Sequence, residues 1–269
     1  FFSSRRRHTR YISVTGVQTC ALPICRVLAF LLVFRLAGPV AQAGWQVFVP
    51  DIRGCGQARG WEGVEPSLGV CADDVIALLD QYGIDKAVVG GCSLGGYITM
   101  ELLRRAPERI AAAILIDTKA SADTPESKAN RQRVAESVLA AGSTEAFCRA
   151  MLPAVLGATT HAHRPEVVES VRDIMSDSTP DGVAALQRAM AQRPDSADAL
   201  AQFRGPVLSI RGAEDTVASE RDHQDIVDFS LDAIHVTLPQ VGHLAPIEAP
   251  TETAAVIVEF LEKVRRASC

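Results

Sequence analysis

The chain has 269 residues, 48 % of them hydrophobic, with 27 lysines and arginines against 32 aspartates and glutamates. Without the four arginines of residues 1–24 the balance is 23 to 32, a net charge of −9, which argues against nucleic acid as a partner. The seven cysteines are Cys20, Cys25, Cys55, Cys71, Cys92, Cys148 and Cys269. Their irregular spacing suggests neither a disulfide framework nor a metal site, and a reducing cytoplasm is the expected setting.

Residues 1–24 differ in texture from the rest, with four arginines and no acidic residue. Ser3–Arg10 and Val14–Ile24 back-translate to sequences resembling the constant parts of a sequencing adapter. We expect this stretch to be translated adapter joined to a metagenomic gene fragment. Arg5–Arg10, Val27–Phe34 and Ala41–Ala43 together imitate a signal peptide, but the basic part belongs to the suspect stretch. The apolar run is also too short to cross a bilayer, so no membrane partner is expected.

The remaining 245 residues suit one α/β domain carrying an insertion. Val27–Phe34 is a continuous apolar run, as in a buried parallel strand. Leu36–Ala43 suggests a short helix and Trp45–Pro50 a second strand. The turn Asp51-Ile52-Arg53-Gly54-Cys55-Gly56 follows. Ser67–Tyr82 has helical periodicity and stops at Gly83. Lys86–Val89 reads as a strand, Tyr97–Arg105 as a helix and Ile110–Ile116 as another buried strand. From Thr118 to Phe203 helical patterns dominate: Lys128–Ala141, Thr144–Val155, Pro165–Ser176 and Asp181–Gln192. Strands resume at Pro206–Ile210 and Ile234–Leu238, and Pro250–Val264 closes as a helix. Alternating strands and helices imply a mostly parallel, doubly wound α/β sheet with a helical cap insertion. The core is expected at 25–118 and 204–269, the cap at 119–203.

Gly91-Cys92-Ser93-Leu94-Gly95 fits G-x-S-x-G between a strand and a helix, the setting of a nucleophile elbow. A serine hydroxyl needs a base, and the base an orienting acid. Asp215 follows one late strand and His243 the last, in the chain order Ser, acid, His. Both fall at strand carboxyl ends, where ligands of open α/β sheets collect. For the acid, Glu214 and Asp117 remain rivals. His161, His163, His223 and His235 read as structural, as do Cys92, Arg53 and Asp51. Core packing is the better reading of Tyr97, Met100 and Met151.

The motifs VPDIRGCG, GGCSLGGY, RGAEDTVAS and VGHLAPIEAP resemble those of the α/β-hydrolase superfamily, in the branch of 3-oxoadipate enol-lactonase-like hydrolases and small carboxylesterases. The resemblance covers about residues 44–264. It implies catalysis by Ser93, Asp215 and His243, with the Leu94 N–H as one oxyanion donor, no cofactor and no metal. It also implies a small ester or lactone substrate under a roof formed by residues 119–203. The outer hairpin with which such proteins begin is expected to be missing, its place taken by the suspected adapter. The His-Gly pair after their third strand is missing too, which leaves Phe30, in Leu28-Ala29-Phe30-Leu31, as the candidate second donor. Impaired activity is therefore expected. A ligand-binding or signalling protein on the same scaffold, and a defective fragment, are the competing readings.

Overall fold

The computed structural model describes residues 27–31, 34–56, 58 and 60–267. The suspected adapter, residues 1–24, lies outside the described residues. Among the described residues six strands form one sheet: β1 (Val27–Leu31), β2 (Gln46–Phe48), β3 (Ala87–Cys92), β4 (Ile110–Ile116), β5 (Val207–Gly212) and β6 (Ala233–Leu238). Their order is β2-β1-β3-β4-β5-β6, and every neighbouring pair is parallel. The chain steps from β1 to β2 on one side, then returns to place β3 on the other. The carboxyl ends of β1 and β3 therefore flank the point where the winding reverses, the usual crevice of an open α/β sheet.

Each strand feeds two apolar layers, because successive side chains point to opposite faces. On β4, Ala112, Ile114 and Ile116 join α1 (Ala37–Gln42) and α12 (Pro250–Ala267) in one cluster. Ala113 and Leu115 join α2 (Leu68–Gln81) and α3 (Leu94–Arg105) in the other. With both faces covered, a central strand can be apolar throughout. Helix α2 starts where the Ser67 hydroxyl accepts the Val70 N–H at 3.2 Å, and it stops before Gly83 at φ 62°.

Between β4 and β5 lie α4 (Pro125–Ala141), α5 (Glu145–Val155), α6 (Ala158–His163), α7 (Pro165–Ser176), α8 (Pro180–Gln192) and α9 (Ala197–Gln202). Four of these match the sequence patterns; α6 and α9, six residues each, are too short to show a period. Two more helices were also not anticipated, α10 (Glu220–Phe229) and α11 (Ala245–Glu248). Within α10 only His223 and Ile226 are buried, which leaves almost no apolar stripe to read. Its start is signalled instead by a capping box between Ser219 and Asp222. The two ends of the excursion meet: Ser196 N–H donates to Ala120 C=O at 2.9 Å, and Asp117 N–H to Ile210 C=O at 2.9 Å. Among the described residues no helix is long and apolar enough to cross a membrane.

Candidate active site

Strand β3 delivers Ser93 into a turn so tight that its φ and ψ are 51° and −111°. A non-glycine residue holds such angles only when its surroundings over-determine them. Here Ser93 N–H donates to Ile116 C=O at 2.9 Å, while Ser93 C=O accepts the Thr118 hydroxyl at 2.9 Å and the Gly96 N–H at 2.9 Å. The glycines fit the crowding. A Cβ on Gly91 would lie 2.2 Å from the Gly95 carbonyl carbon, and one on Gly96 2.5 Å from Thr118. Leu94 opens α3, so its N–H belongs to the first turn of the helix, where donors lack intrahelical partners.

The loops after β5 and β6 bring two further side chains to this turn. His243 Nε2 lies 2.8 Å from Ser93 Oγ, and His243 Nδ1 lies 2.8 Å from Asp215 Oδ2. The other Asp215 oxygen accepts the N–H groups of Val217 at 2.7 Å and Ala218 at 3.0 Å. Burial alone would raise the Asp215 pKa. The hydrogen bond and charge of His243, with the two N–H groups, outweigh it and hold the carboxyl below its ordinary value. The arrangement can thus take a proton from a hydroxyl and keep an imidazolium in place. A profile of the alpha/beta hydrolase fold matches residues 29–250, around this site.

The chain belongs to the α/β-hydrolase family. This α/β-hydrolase is 30 % identical over 180 residues to 3-oxoadipate enol-lactonase 2 of Acinetobacter baylyi, across 66 % of this chain and 64 % of that protein. It therefore spans just under two thirds of that relative's length. A thermophilic esterase from Thermogutta terrifontis, solved with malate bound, is 33 % identical, with a TM-score of 0.82 over 88 % of this chain and 89 % of that one. The enol-lactonase from Burkholderia xenovorans LB400 is 23 % identical with a TM-score of 0.76 over 88 % and 90 %, a likeness of fold.

The rivals for the acid position are committed elsewhere in this α/β-hydrolase. Glu214 accepts the Thr159 N–H at 2.8 Å and its hydroxyl at 2.5 Å. Asp117, fully buried at φ 45°, accepts the Gly212 N–H at 2.8 Å on one oxygen and the Ala245 N–H at 2.9 Å on the other. It ties the end of β4 to the chain before the Asp215 loop and to the start of α11. Burial lifts its pKa to about 7, against the lowering pull of His243 and the two N–H groups. An unfolded aspartate titrates near 3.9. A carboxyl whose native value is raised stabilises the fold fully below the unfolded value, and that contribution is lost as pH climbs to about 7. The melting-temperature advantage of wild type over Asp117→Asn is thus expected to shrink between about pH 4 and pH 7. Parallel melting curves across that range would refute the assignment.

Phe30 sits inside β1, in register with Gly90, and not in the loop behind it. The apolar run simply continues the ladder through Leu31, and Leu32 and Val33 lie outside the described residues. Cys92 is buried, and its thiol donates to the His243 C=O at 3.6 Å. His223 and His235 share the Ser209 hydroxyl at 2.7 and 3.1 Å, and burial pushes the His223 pKa down to about 3. His161 and His163 are exposed on α6. Arg53 pairs with Asp74, at 2.8 and 2.6 Å. Tyr97 and Met100 are core residues, and Met151 packs within the excursion. Sequence reasoning missed Glu248, a buried carboxylate five residues beyond His243. Its one signal was an acidic residue inside the apolar stretch Leu244–Ala249.

Proposed function

We propose that this α/β-hydrolase cleaves a small carboxylic ester or lactone through an acyl-serine intermediate. The observation that carries the reading is the unbroken relay from Ser93 Oγ through the His243 ring to Asp215, with both links at 2.8 Å. The esterase and the enol-lactonase among its relatives support ester chemistry. Ser93 Oγ attacks the carbonyl carbon and His243 Nε2 takes the hydroxyl proton. The carbonyl oxygen becomes an oxyanion in front of the Leu94 N–H. As it collapses, the bond to the leaving alkoxide breaks and His243 returns the proton to that oxygen. Water then repeats the sequence on the acyl-serine and releases the acid. Asp215 holds the ring and stabilises its charged form throughout. The Phe30 N–H, near the carboxyl end of β1, is the proposed second oxyanion donor. A site that keeps its base and acid this close to the serine favours turnover over ligand binding alone.

A fluorophosphonate probe tests the reading. It is expected to label the protein, with the adduct mapped to the Ser93 peptide. Labelling that persists in Ser93→Ala would sink the assignment.

Residues 119–203 are proposed as the cap of this site. Leu186 and Met190 of α8 share one apolar cluster with Tyr97 and Leu94, beside the nucleophile. Leu186→Ala and Met190→Ala are expected to change the preference between short and long acyl esters by roughly tenfold, the scale of a methylene or two in an apolar pocket. Probe labelling of Ser93 should survive both. An equal loss on every ester would mean that these residues serve folding and not selection.

A further inference from the structure

Glu248 is buried, at 4 % exposure, and a buried carboxylate needs hydrogen-bond donors for its oxygens. Its donors come from two places. One oxygen accepts the Gly242 N–H at 3.0 Å and the Leu244 N–H at 3.2 Å, the residues on either side of His243. The other accepts the Gly157 N–H at 2.9 Å and the Thr160 hydroxyl at 2.5 Å, from the turn that opens α6. The backbone around the base is thus held on both sides by a carboxylate outside the triad.

The two segments are also in close contact. A Cβ on Gly242 would lie 2.1 Å from the Gly157 nitrogen, and one on Gly157 2.9 Å from the Gly242 nitrogen. Neither position has room for a side chain. Glu214, the residue before the acid, binds Thr159 in the same turn. The turn at 157–160 is consequently fastened to the loop of the base and to the loop of the acid.

We propose that Glu248 is the positioning residue of His243 and makes the placement of the base depend on the 157–160 turn of the excursion. The inference rests on the Ser93, His243 and Asp215 reading above. Glu248 touches no reacting atom. It acts by fixing the peptide groups on both sides of His243, and so the angle at which Nε2 meets Ser93.

Three full-length variants test it. Glu248→Gln keeps the side-chain shape but offers one acceptor oxygen, and its amide group turns donors toward donors. Thr160→Val removes only the hydroxyl on the excursion side. Thr160→Ser keeps that hydroxyl. Glu248→Gln is expected to lower both kcat on p-nitrophenyl butyrate and the rate of Ser93 phosphonylation by roughly 10–10²-fold, the cost of a slightly misplaced group. KM should stay within about twofold, because ground-state binding is untouched. The low-field proton resonance of the His243–Asp215 hydrogen bond should move. Thr160→Val should lower kcat in the same direction and Thr160→Ser should restore it. Wild-type phosphonylation in Glu248→Gln, with the resonance unmoved, overturns the proposal. Should Glu248→Gln fail to fold, the Thr160 pair decides: equal kcat in Val and Ser overturns the proposal, and a deficit in Val alone supports it. Ser93→Ala, run alongside, separates the two readings. If it abolishes labelling while the Glu248 and Thr160 variants behave as wild type, the triad stands and the positioning role falls. If it still labels, the triad reading itself falls.

Discussion

Ser93→Ala and His243→Ala are each expected to lower ester turnover by roughly 10⁴–10⁶-fold, the scale for residues that act as one unit. The double variant should be little worse than either single one. Nε2 lies 2.8 Å from Oγ, so the proton has one direct route off the hydroxyl. Without the ring the hydroxyl stays protonated. Without the hydroxyl the ring has nothing to activate. Steady-state rates on an activated ester, with melting curves to confirm folding, provide the measurement. Costs that multiply in the double variant would mean that the two residues act independently.

The second large effect concerns the acid. Asp215→Asn is expected to lower turnover by roughly 10⁴-fold, because an amide facing Nδ1 favours the wrong imidazole tautomer. Asp117→Asn should cost far less activity. Its two oxygens serve the Gly212 and Ala245 N–H groups and not the ring. Replacing one acceptor by a donor there should show as lost stability of about 1–3 kcal/mol, the penalty of a buried group left without its partner. The two substitutions therefore separate by assay: one should abolish rate at nearly constant melting temperature, the other should lower melting temperature at nearly constant rate. If the two patterns are exchanged, the acid is misassigned.

What could be read in advance follows from the range of each interaction. Ile110–Ile116 was legible to the residue because an unbroken apolar strand is local information, bounded here by Arg109 and Asp117. The elbow was legible because the turn must be built from small residues at fixed offsets from Ser93. The end of β1 was not legible around Phe30, because a continuous apolar run does not mark where its strand ends. Helix α10 was missed because its buried face is almost nothing but His223 and Ile226. The roles of Glu248 and Asp117 were opaque for another reason. Their partners are peptide groups up to 91 and 128 positions away in the chain, and no spacing rule points to them.

The meeting of the two ends of the excursion has a consequence for how such a chain can change length. Across the excursion Gly212 N–H donates to the Asp117 carboxylate and Asp117 N–H to Ile210 C=O, and Ala120 meets Ser196 just beyond them. The central β4–β5 pairing is therefore complete whatever the chain does between these points. Closing a flexible loop costs free energy only as the logarithm of its length, so doubling it adds about 0.6 kcal/mol. The sheet is nearly blind to the size of what it carries there. Growth or trimming between residues 120 and 196 is constrained instead at local points: the short turn held by Glu214 and Glu248, and Leu186 and Ala189 packed in the core.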